Sequence, residues 1–369
     1  MKVLFISSDA SILDVGSSTR ARMQAYGDQI GELHLLIRSH RTHTTHDGSI
    51  TIHEVRTSKL GALFVLPRRA RALIRTRGIE IVSAQDPFEH GLIGLFSVGG
   101  TSAKLHIQIH TDFLSPWFTY GYSRQVFLNH IRLFIASLVL PKADGIRAVA
   151  PRVKRSVMVR YGNRIVEPSF IPVSVEDSEA DTKEETAPFP CTLLSIGRLE
   201  PEKRFMDVIN ALVEVRKTNT DAGLVIAGEG REGVRLRRAA CALGLEKHVR
   251  FLGMRADVSH LMRAAHVYVQ ASAYEGYSRT LVEAARAGLP IVTTDVGIVG
   301  DVLLPNTHVL VSHVGDVTTF ASNVTRLIED SALRTALSIA AHQAVKEHLR
   351  AFRNQPELIA HDLENTLTV

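Results

Sequence analysis

Two carboxylates, Glu275 and Glu283, stand eight positions apart in the segment ASAYEGYSRTLVEAARAGLPIVTTDVGIVG, Ala271 to Gly300. Glu275 lies in a glycine-containing turn. Glu283 lies inside an amphipathic run, Arg279 to Ala287, which stops at Gly288 with Pro290 beyond it, the pattern of a helix C-terminus. Gly276 and Ser278 open that helix. Its leading amide N–H groups lack intrahelical partners and carry partial positive charge, so they form an anion site. One carboxylate beside that site and another further along suit a ligand that is phosphate at one point and polyol at two. A nucleotide-sugar has that shape.

Further candidates follow predicted strands. Arg198 and Lys203 sit near a helix start, where cations gain nothing from the helix macrodipole, so a ligand-facing role competes well with an ordinary surface one. Glu229 and His110 end other strands, and Gly16 and Arg20 follow the first. Asp9, Asp86 and Asp112 read as caps or turn residues. His40, His43 and His46 lie in a polar, Thr-rich connection without helical context or a placed carboxylate, and are expected to form a solvated loop, not a metal site. Cys191 and Cys241 are too few for a disulfide framework or a zinc site.

The elements that must position these residues alternate between strand-like and helical runs, as in parallel sheets covered by helices. Strands are predicted at Lys2–Ser7, Leu33–Ile37, Ile50–Val55, Ile79–Ser83, Leu105–Ile109, Gly145–Val149 and Ser169–Ile171. Helices are predicted at Arg20–Ile30, Leu66–Arg77, Pro87–Ser97, Gln125–Val139 and Arg152–Val159. The stretch from Val175 to Pro190 loses all apolar periodicity. It carries Glu176, Asp177, Glu179, Asp181, Glu184 and Glu185 with Pro188 and Pro190, and reads as an acidic hinge. A second alternating series then runs from Cys191, with strands at Thr192–Ile196, Leu224–Ala227, Val249–Leu252, Val267–Gln270 and Ile291–Thr293. The expected division is an N-terminal Rossmann-like domain over 1–175, a hinge over 176–190, a second such domain over 191–345 and a helical tail over 346–369. Ligands of such sheets bind beyond the C-terminal strand ends, which is where the candidates fall.

At 369 residues, 45% apolar and 22% charged, the chain can build two globular cores. No apolar run is long enough to span a bilayer, and the opening MKVLFISSDA reads as a first strand, not a signal peptide. A cytoplasmic protein is expected. Charge is uneven: Met1 to Arg164 holds 22 Lys and Arg against 11 Asp and Glu, while the remainder holds 21 against 27. The basic first half invites either a solvated surface or an anionic partner, such as a membrane face, a phospholipid or an acidic acceptor. The helix after Pro67 sharpens that choice, with Arg68, Arg71 and Arg75 on one face and Leu66, Ala70, Leu73 and Ile74 largely on the other. Nucleic acid is disfavoured, because the basic residues are scattered and no recognition module or aromatic platform accompanies them.

IGRLEPEK at Ile196–Lys203, VIAGEG at Val225–Gly230, VRFLG at Val249–Gly253 and YEGYSRTLVEAARAGLPIVTTDVG together resemble the retaining GT-B glycosyltransferases of family 4. The match runs in order through nearly the whole second half. In the first half it rests on the opening strand, the Gly16 loop, His110 and SFIP at Ser169–Pro172. The resemblance implies an α/β GT-B fold of two doubly wound Rossmann-like domains facing across a cleft.

By position, it also implies roles. Arg198 and Lys203 would hold the donor diphosphate, Glu283 the ribose hydroxyls, and amides around Ser278, Arg279 and Thr280 the phosphates. Glu275 would face the transferred sugar and His110 the sugar or its phosphate, with Gly16 and Arg20 closing over the donor and Gly276 and Glu229 completing its pocket. Fixed cations beside a leaving diphosphate stabilise the charge that develops as an anomeric C–O bond breaks. No pair of aspartates with one residue between them occurs, which fits metal-independent transfer without a cofactor. The implied partners are a UDP- or GDP-linked sugar and a hydroxyl acceptor, lipid-linked or anionic in keeping with the basic first half, and peripheral contact with the inner membrane face. The family pattern is altered at Gly297-Ile298 and Gly16-Ser17, where relatives often have paired glycines. A non-catalytic sugar-nucleotide-binding or regulatory protein, and an epimerase or hydrolase on the same fold, are the rival readings.

Overall fold

The computed structural model describes residues 1–120, 124–175 and 187–368. The acidic residues of the predicted hinge, Glu176, Asp177, Glu179, Asp181, Glu184 and Glu185, lie outside the described residues. The chain forms two compact units: Met1–Pro172 joined by Phe352–Val369, and Val173–Ala351. The first domain and the tail were expected to divide from the second at 175 and 345; the units divide at 172 and 351.

The first unit runs β1 (Lys2–Ser7), α1 (Ser18–Ile30), β2 (Glu32–Ser39), β3 (His43–Asp47), β4 (Ile50–Arg56), α2 (Ala62–Arg77), β5 (Ile81–Ala84), α3 (Glu89–Val98), β6 (Lys104–Ile109), α4 (Arg124–Val139), β7 (Gly145–Ala148), α5 (Pro151–Tyr161) and β8 (Ser169–Phe170). The described strands lie in the order β3-β4-β2-β1-β5-β6-β7-β8, parallel except for the antiparallel β3–β4 hairpin. Residues 3–6 of β1, 33–37 of β2 and 81–84 of β5 are buried, as strands covered on both faces must be. The hairpin corrects one expectation: His43 and His46 lie in β3, not a loop, and His46 Nδ1 lies 3.0 Å from Thr51 Oγ1.

The second unit runs β9 (Cys191–Ile196), α6 (Phe205–Val215), β10 (Ala222–Ala227), α7 (Gly233–Ala242), β11 (Val249–Gly253), α8 (Val258–Ala264), β12 (Val267–Gln270), α9 (Arg279–Arg286), β13 (Ile291–Thr294), β14 (Leu310–Ser312), α10 (Val317–Glu329) and α11 (Ser331–Ala351). Its sheet is parallel, in the order β11-β10-β9-β12-β13-β14. Counted within the unit this is 3-2-1-4-5-6, the doubly wound order whose direction reverses between its first and fourth strands, here β9 and β12. The end of the predicted hinge belongs to this unit: the Phe189 ring covers Gly223, and the Arg250 guanidinium lies 5.5 Å from its centroid.

The last helix, α12 (Gln355–Thr368), within the helical tail, returns to the first unit. Tyr26 donates to Gln355 Oε1 at 2.8 Å, Gln355 Nε2 to the Pro172 carbonyl at 2.6 Å, and Asp362 pairs with His106 at 3.0 Å. Leu363 is fully buried there.

Candidate active site

Strand β12 alternates its polar residues. Tyr268 and Gln270 share one face, and Ser272, just past the strand, continues the period of two. All three are buried, so each polar group needs a partner. Gln270 supplies most of them: its Nε2 donates to Ser278 Oγ at 2.9 Å, and its Oε1 accepts from Thr280 Oγ1 at 2.9 Å and from Tyr268 at 3.2 Å. One amide therefore ties the strand end to the first turn of α9. Burial, with Glu283 and Glu275 nearby, raises the Tyr268 phenol above its ordinary pKa, so it stays a donor.

Ser278 enters α9 at φ +66°, a left-handed conformation that a serine holds at a cost of about 1–3 kcal/mol. Its hydrogen bond to Gln270 and the close backing of Gly297 hold it there. A Cβ on Gly297 would stand 2.6 Å from the Tyr277 carbonyl oxygen, so glycine alone permits this approach. Tyr277 is anchored in turn by its hydroxyl, 2.9 Å from His348 Nε2 of α11. The amides at the start of α9 are thereby fixed before any ligand arrives.

The short turn after β9 brings the cations. The Ala273 amide donates to the Glu202 carbonyl at 2.7 Å, which places the Pro201–Lys203 turn beside the loop after β12. Lys203 Nζ lies 2.5 Å from Glu275 Oε1, with the two side chains 21% and 12% exposed. Ser272 Oγ donates to the same carboxylate oxygen at 2.8 Å, and Gln270 Nε2 approaches it at 3.5 Å. A cation, a carboxylate and the leading amides of a helix thus converge at the topological switch point of this sheet.

Other predicted residues stand further from that centre. Arg198 is 72% exposed and reaches Glu202 at 3.4 Å. Glu283 pairs with Arg279 at 3.2 Å along the outer side of α9. Glu229 is exposed; its carbonyl accepts from the Leu199 amide at 2.8 Å, which joins the loops after β9 and β10. That junction is close: a Cβ on Gly228 would lie 1.9 Å from the Gly197 oxygen. Gly276 is buried in the turn between Glu275 and α9.

In the first unit Gly16 lies in an open loop at φ +86°, followed by the Ser17 cap of α1. Arg20 is buried, and its Nε donates to Asp47 Oδ2 at 2.7 Å while Nη1 reaches the Leu13 carbonyl at 3.3 Å, so it braces that loop against the β3–β4 hairpin. His110 ends β6 on the same face as Gln108 and His106. Its Nε2 lies 3.3 Å from Gln108 Oε1, which also accepts from Arg147 at 2.7 Å. Burial, with Arg147 and Arg22 nearby, pushes the His110 pKa down to about 3, so the ring is neutral at pH 7. With Nε2 donating to Gln108, Nδ1 carries the acceptor lone pair.

Sequence reasoning missed Gln270 and Ser272. The available signal was polar residues at alternate positions in a strand otherwise apolar. It also missed Asp86 and His90 as a pair: their side chains are hydrogen-bonded at the end of β5, and the Asp86 carboxylate caps α3 through the Phe88 amide at 2.8 Å. Among the described residues no cluster of three or more His, Cys, Asp or Glu converges as a metal site.

Residues 177–344 match the family described as Glycosyl transferases group 1. Among characterised proteins, N-acetyl-alpha-D-glucosaminyl L-malate synthase of Bacillus anthracis is 28% identical over 173 residues, 46% of this chain and 45% of that protein. The match therefore spans less than half the length of that relative. Two solved structures align over nearly the whole chain. Sucrose-phosphate synthase of Thermosynechococcus elongatus has a TM-score of 0.81 at 16% identity, covering 98% of this chain and 99% of that one. Anabaena Alr3699/HepE, in complex with UDP and glucose, has a TM-score of 0.74 at 18% identity, covering 99% of each chain. The fold is therefore α/β of the GT-B type, with two Rossmann-like units.

Proposed function

We propose that the chain is a retaining glycosyltransferase that moves a hexosyl group from a UDP- or GDP-linked sugar to a hydroxyl acceptor, without a metal ion, in the synthesis of a glycan, glycolipid or cell-envelope polysaccharide. The observation that carries this reading is the Lys203–Glu275 pair, 2.5 Å apart at the β9/β12 switch point beside the start of α9. The group 1 match over residues 177–344 supports the same assignment, and the UDP bound by HepE makes UDP the first base to test.

In this reading the diphosphate lies against the amides of Ser278, Arg279 and Thr280, with Lys203 and Arg198 as counter-charges. Glu283 accepts hydrogen bonds from the ribose hydroxyls, and Glu275 from the hydroxyls of the transferred sugar. On the first unit, His110 has a neutral ring that can accept from a hydroxyl, and Arg20 holds the Gly16 loop in shape. The bond from the anomeric carbon to the phosphate oxygen breaks, and the nucleoside diphosphate leaves with the electron pair. The acceptor oxygen bonds to the same face of the anomeric carbon and passes its proton to the departing phosphate oxygen. Lys203 and the α9 amides meet more negative charge in that transition state than in the bound donor, so they lower the barrier as well as bind.

Calorimetric titration with UDP, GDP and ADP, with and without EDTA, tests the donor site. The expected result is selective binding that survives EDTA and is lost in Lys203→Ala. Absence of binding to all three would remove the donor-site assignment, and binding that requires Mg²⁺ would remove the metal-independent one.

A further inference from the structure

Helix α4 leaves an apolar stripe in water. Phe127, Ile131, Phe134 and Leu138 recur at helical spacing with Leu128 beside them, and their exposures run from 38% to 66%. Buried Asn129, Ala136 and Val139 occupy the opposite side, so this stripe is a second apolar face and not the one that packs on the sheet. Among the described residues the surface continues across neighbouring helices. Arg132 of α4 pairs with Glu89 of α3 at 3.0 Å, and Arg71 of α2 donates to the carbonyl of Phe96 on α3. Phe96 itself is 51% exposed, and Phe64 and Leu60, at the start of α2, are 66% and 79% exposed.

Charge accompanies the apolar groups. Between Glu54 and Glu80 the sequence holds seven Lys and Arg and no acid; between Asp112 and Asp144 it holds three and no acid. Arg68, Arg69 and Arg75 are exposed on α2. Large apolar side chains flanked by exposed basic charge fit a surface that is hydrocarbon beneath and anionic at its edge. A protein partner would need a matching acidic, apolar surface; an anionic bilayer offers both without shape matching.

We infer that the α2–α3–α4 face of the first unit docks on an anionic phospholipid bilayer, with Phe127 and Phe134 entering the acyl boundary and the α2 arginines meeting headgroup phosphates. The test is co-sedimentation of the full chain, without sugar nucleotide, with vesicles of phosphatidylcholine alone or mixed with phosphatidylglycerol. The chain is expected to sediment with the mixed vesicles at low salt and to be released by high salt. Arg68→Gln with Arg75→Gln should weaken binding on the order of twentyfold, roughly fivefold for each cation removed. Phe127→Ser with Phe134→Ser should abolish binding while UDP binding and melting stay those of the parent. Val159→Ser, an exposed apolar position on α5, should bind like the parent. Equal partition of all variants, or no sedimentation with mixed vesicles, would overturn the assignment. So would a dimer in solution that the Phe127/Phe134 variant dissolves while vesicle binding persists, because the stripe would then cover a second copy.

Discussion

Lys203 Nζ and Glu275 Oε1 meet at 2.5 Å although 72 residues separate them in the chain. The meeting is set by backbone, through the Ala273–Glu202 hydrogen bond that clamps the two loops together. An ammonium held 21% exposed by its own carboxylate partner is positioned to receive a second anion without a large change in side-chain order.

Lys203→Ala is therefore expected to weaken UDP binding about tenfold to a hundredfold and to lower kcat as well, since in the proposed reading the lost charge faces the leaving group. Lys203→Arg should restore part of the binding and less of the rate, because the planar guanidinium does not reproduce the ammonium position. Titration and initial-rate measurements on the same preparations check both; unchanged affinity in Lys203→Ala would move the phosphate site elsewhere.

Glu275→Gln separates binding from chemistry. The amide keeps the size of the side chain and one acceptor oxygen, so the Ser272 contact can persist, but the charge proposed to face the sugar is gone. Turnover should fall about a hundredfold or more, while UDP affinity changes by less than about tenfold. A variant that turns over normally would exclude Glu275 from the reacting centre.

Gln270 acts through others. Replacing it with leucine leaves Ser278 Oγ, Thr280 Oγ1 and the Tyr268 hydroxyl short of a partner in a buried place, at a cost of about 1–3 kcal/mol. The expected signature is a lower melting temperature, together with a rise in donor KM as the α9 entrance loosens. Gln270→Leu with normal melting and normal KM would show that the α9 entrance is held by Gly297 and Tyr277 alone.

Much of this was legible in the chain. The apolar runs of β1, β9 and β12 and the stop at Gly288 placed most strands and α9 directly, because burial on both faces and helix termination are local properties. The pairing of Lys203 with Glu275 was not, since it depends on how two loops from adjacent strands are held, and no local pattern encodes that. Strand β3 escaped because His43–Asp47 is polar on both faces, which removes the alternation that marks a half-buried strand. The return of α12 to the first unit was also hidden: an amphipathic helix declares a buried face but not the surface that buries it. Gln270 was visible as a residue yet not as a hub, because its partners are eight and ten positions away across a left-handed turn.

The histidines of the first unit predict how it responds to acid. His34 and His53 stack with ring centroids 5.2 Å apart, and both are 2% exposed. His34 Nε2 bonds Glu32 and its Nδ1 meets His53 Nε2, each at 2.9 Å, so His53 is the donor in that contact and both rings are neutral. Burial, together with His34 and nearby arginines, pushes the His53 pKa down to about 4; burial also lowers His34, and His110 falls to about 3. In the unfolded chain these rings titrate near 6.5, so between pH 4 and 6.5 the unfolded state binds more protons and stability rises with pH. The contribution is fully present above about pH 6.5 and is lost as pH falls toward 4, about 2 kcal/mol from His53 by pH 5. His90 has the opposite sign: burial disfavours its charge, but Asp86 outweighs burial and raises its pKa. It is protonated in both states below about pH 6.5, so it adds no slope in this window and loses its contribution only at higher pH. The His53 share alone should lower the melting temperature by roughly 5 °C between pH 6.5 and pH 5, and His53→Gln should remove that part of the slope. A parent protein whose melting temperature is level across the window would show that these rings carry their charge in the folded state.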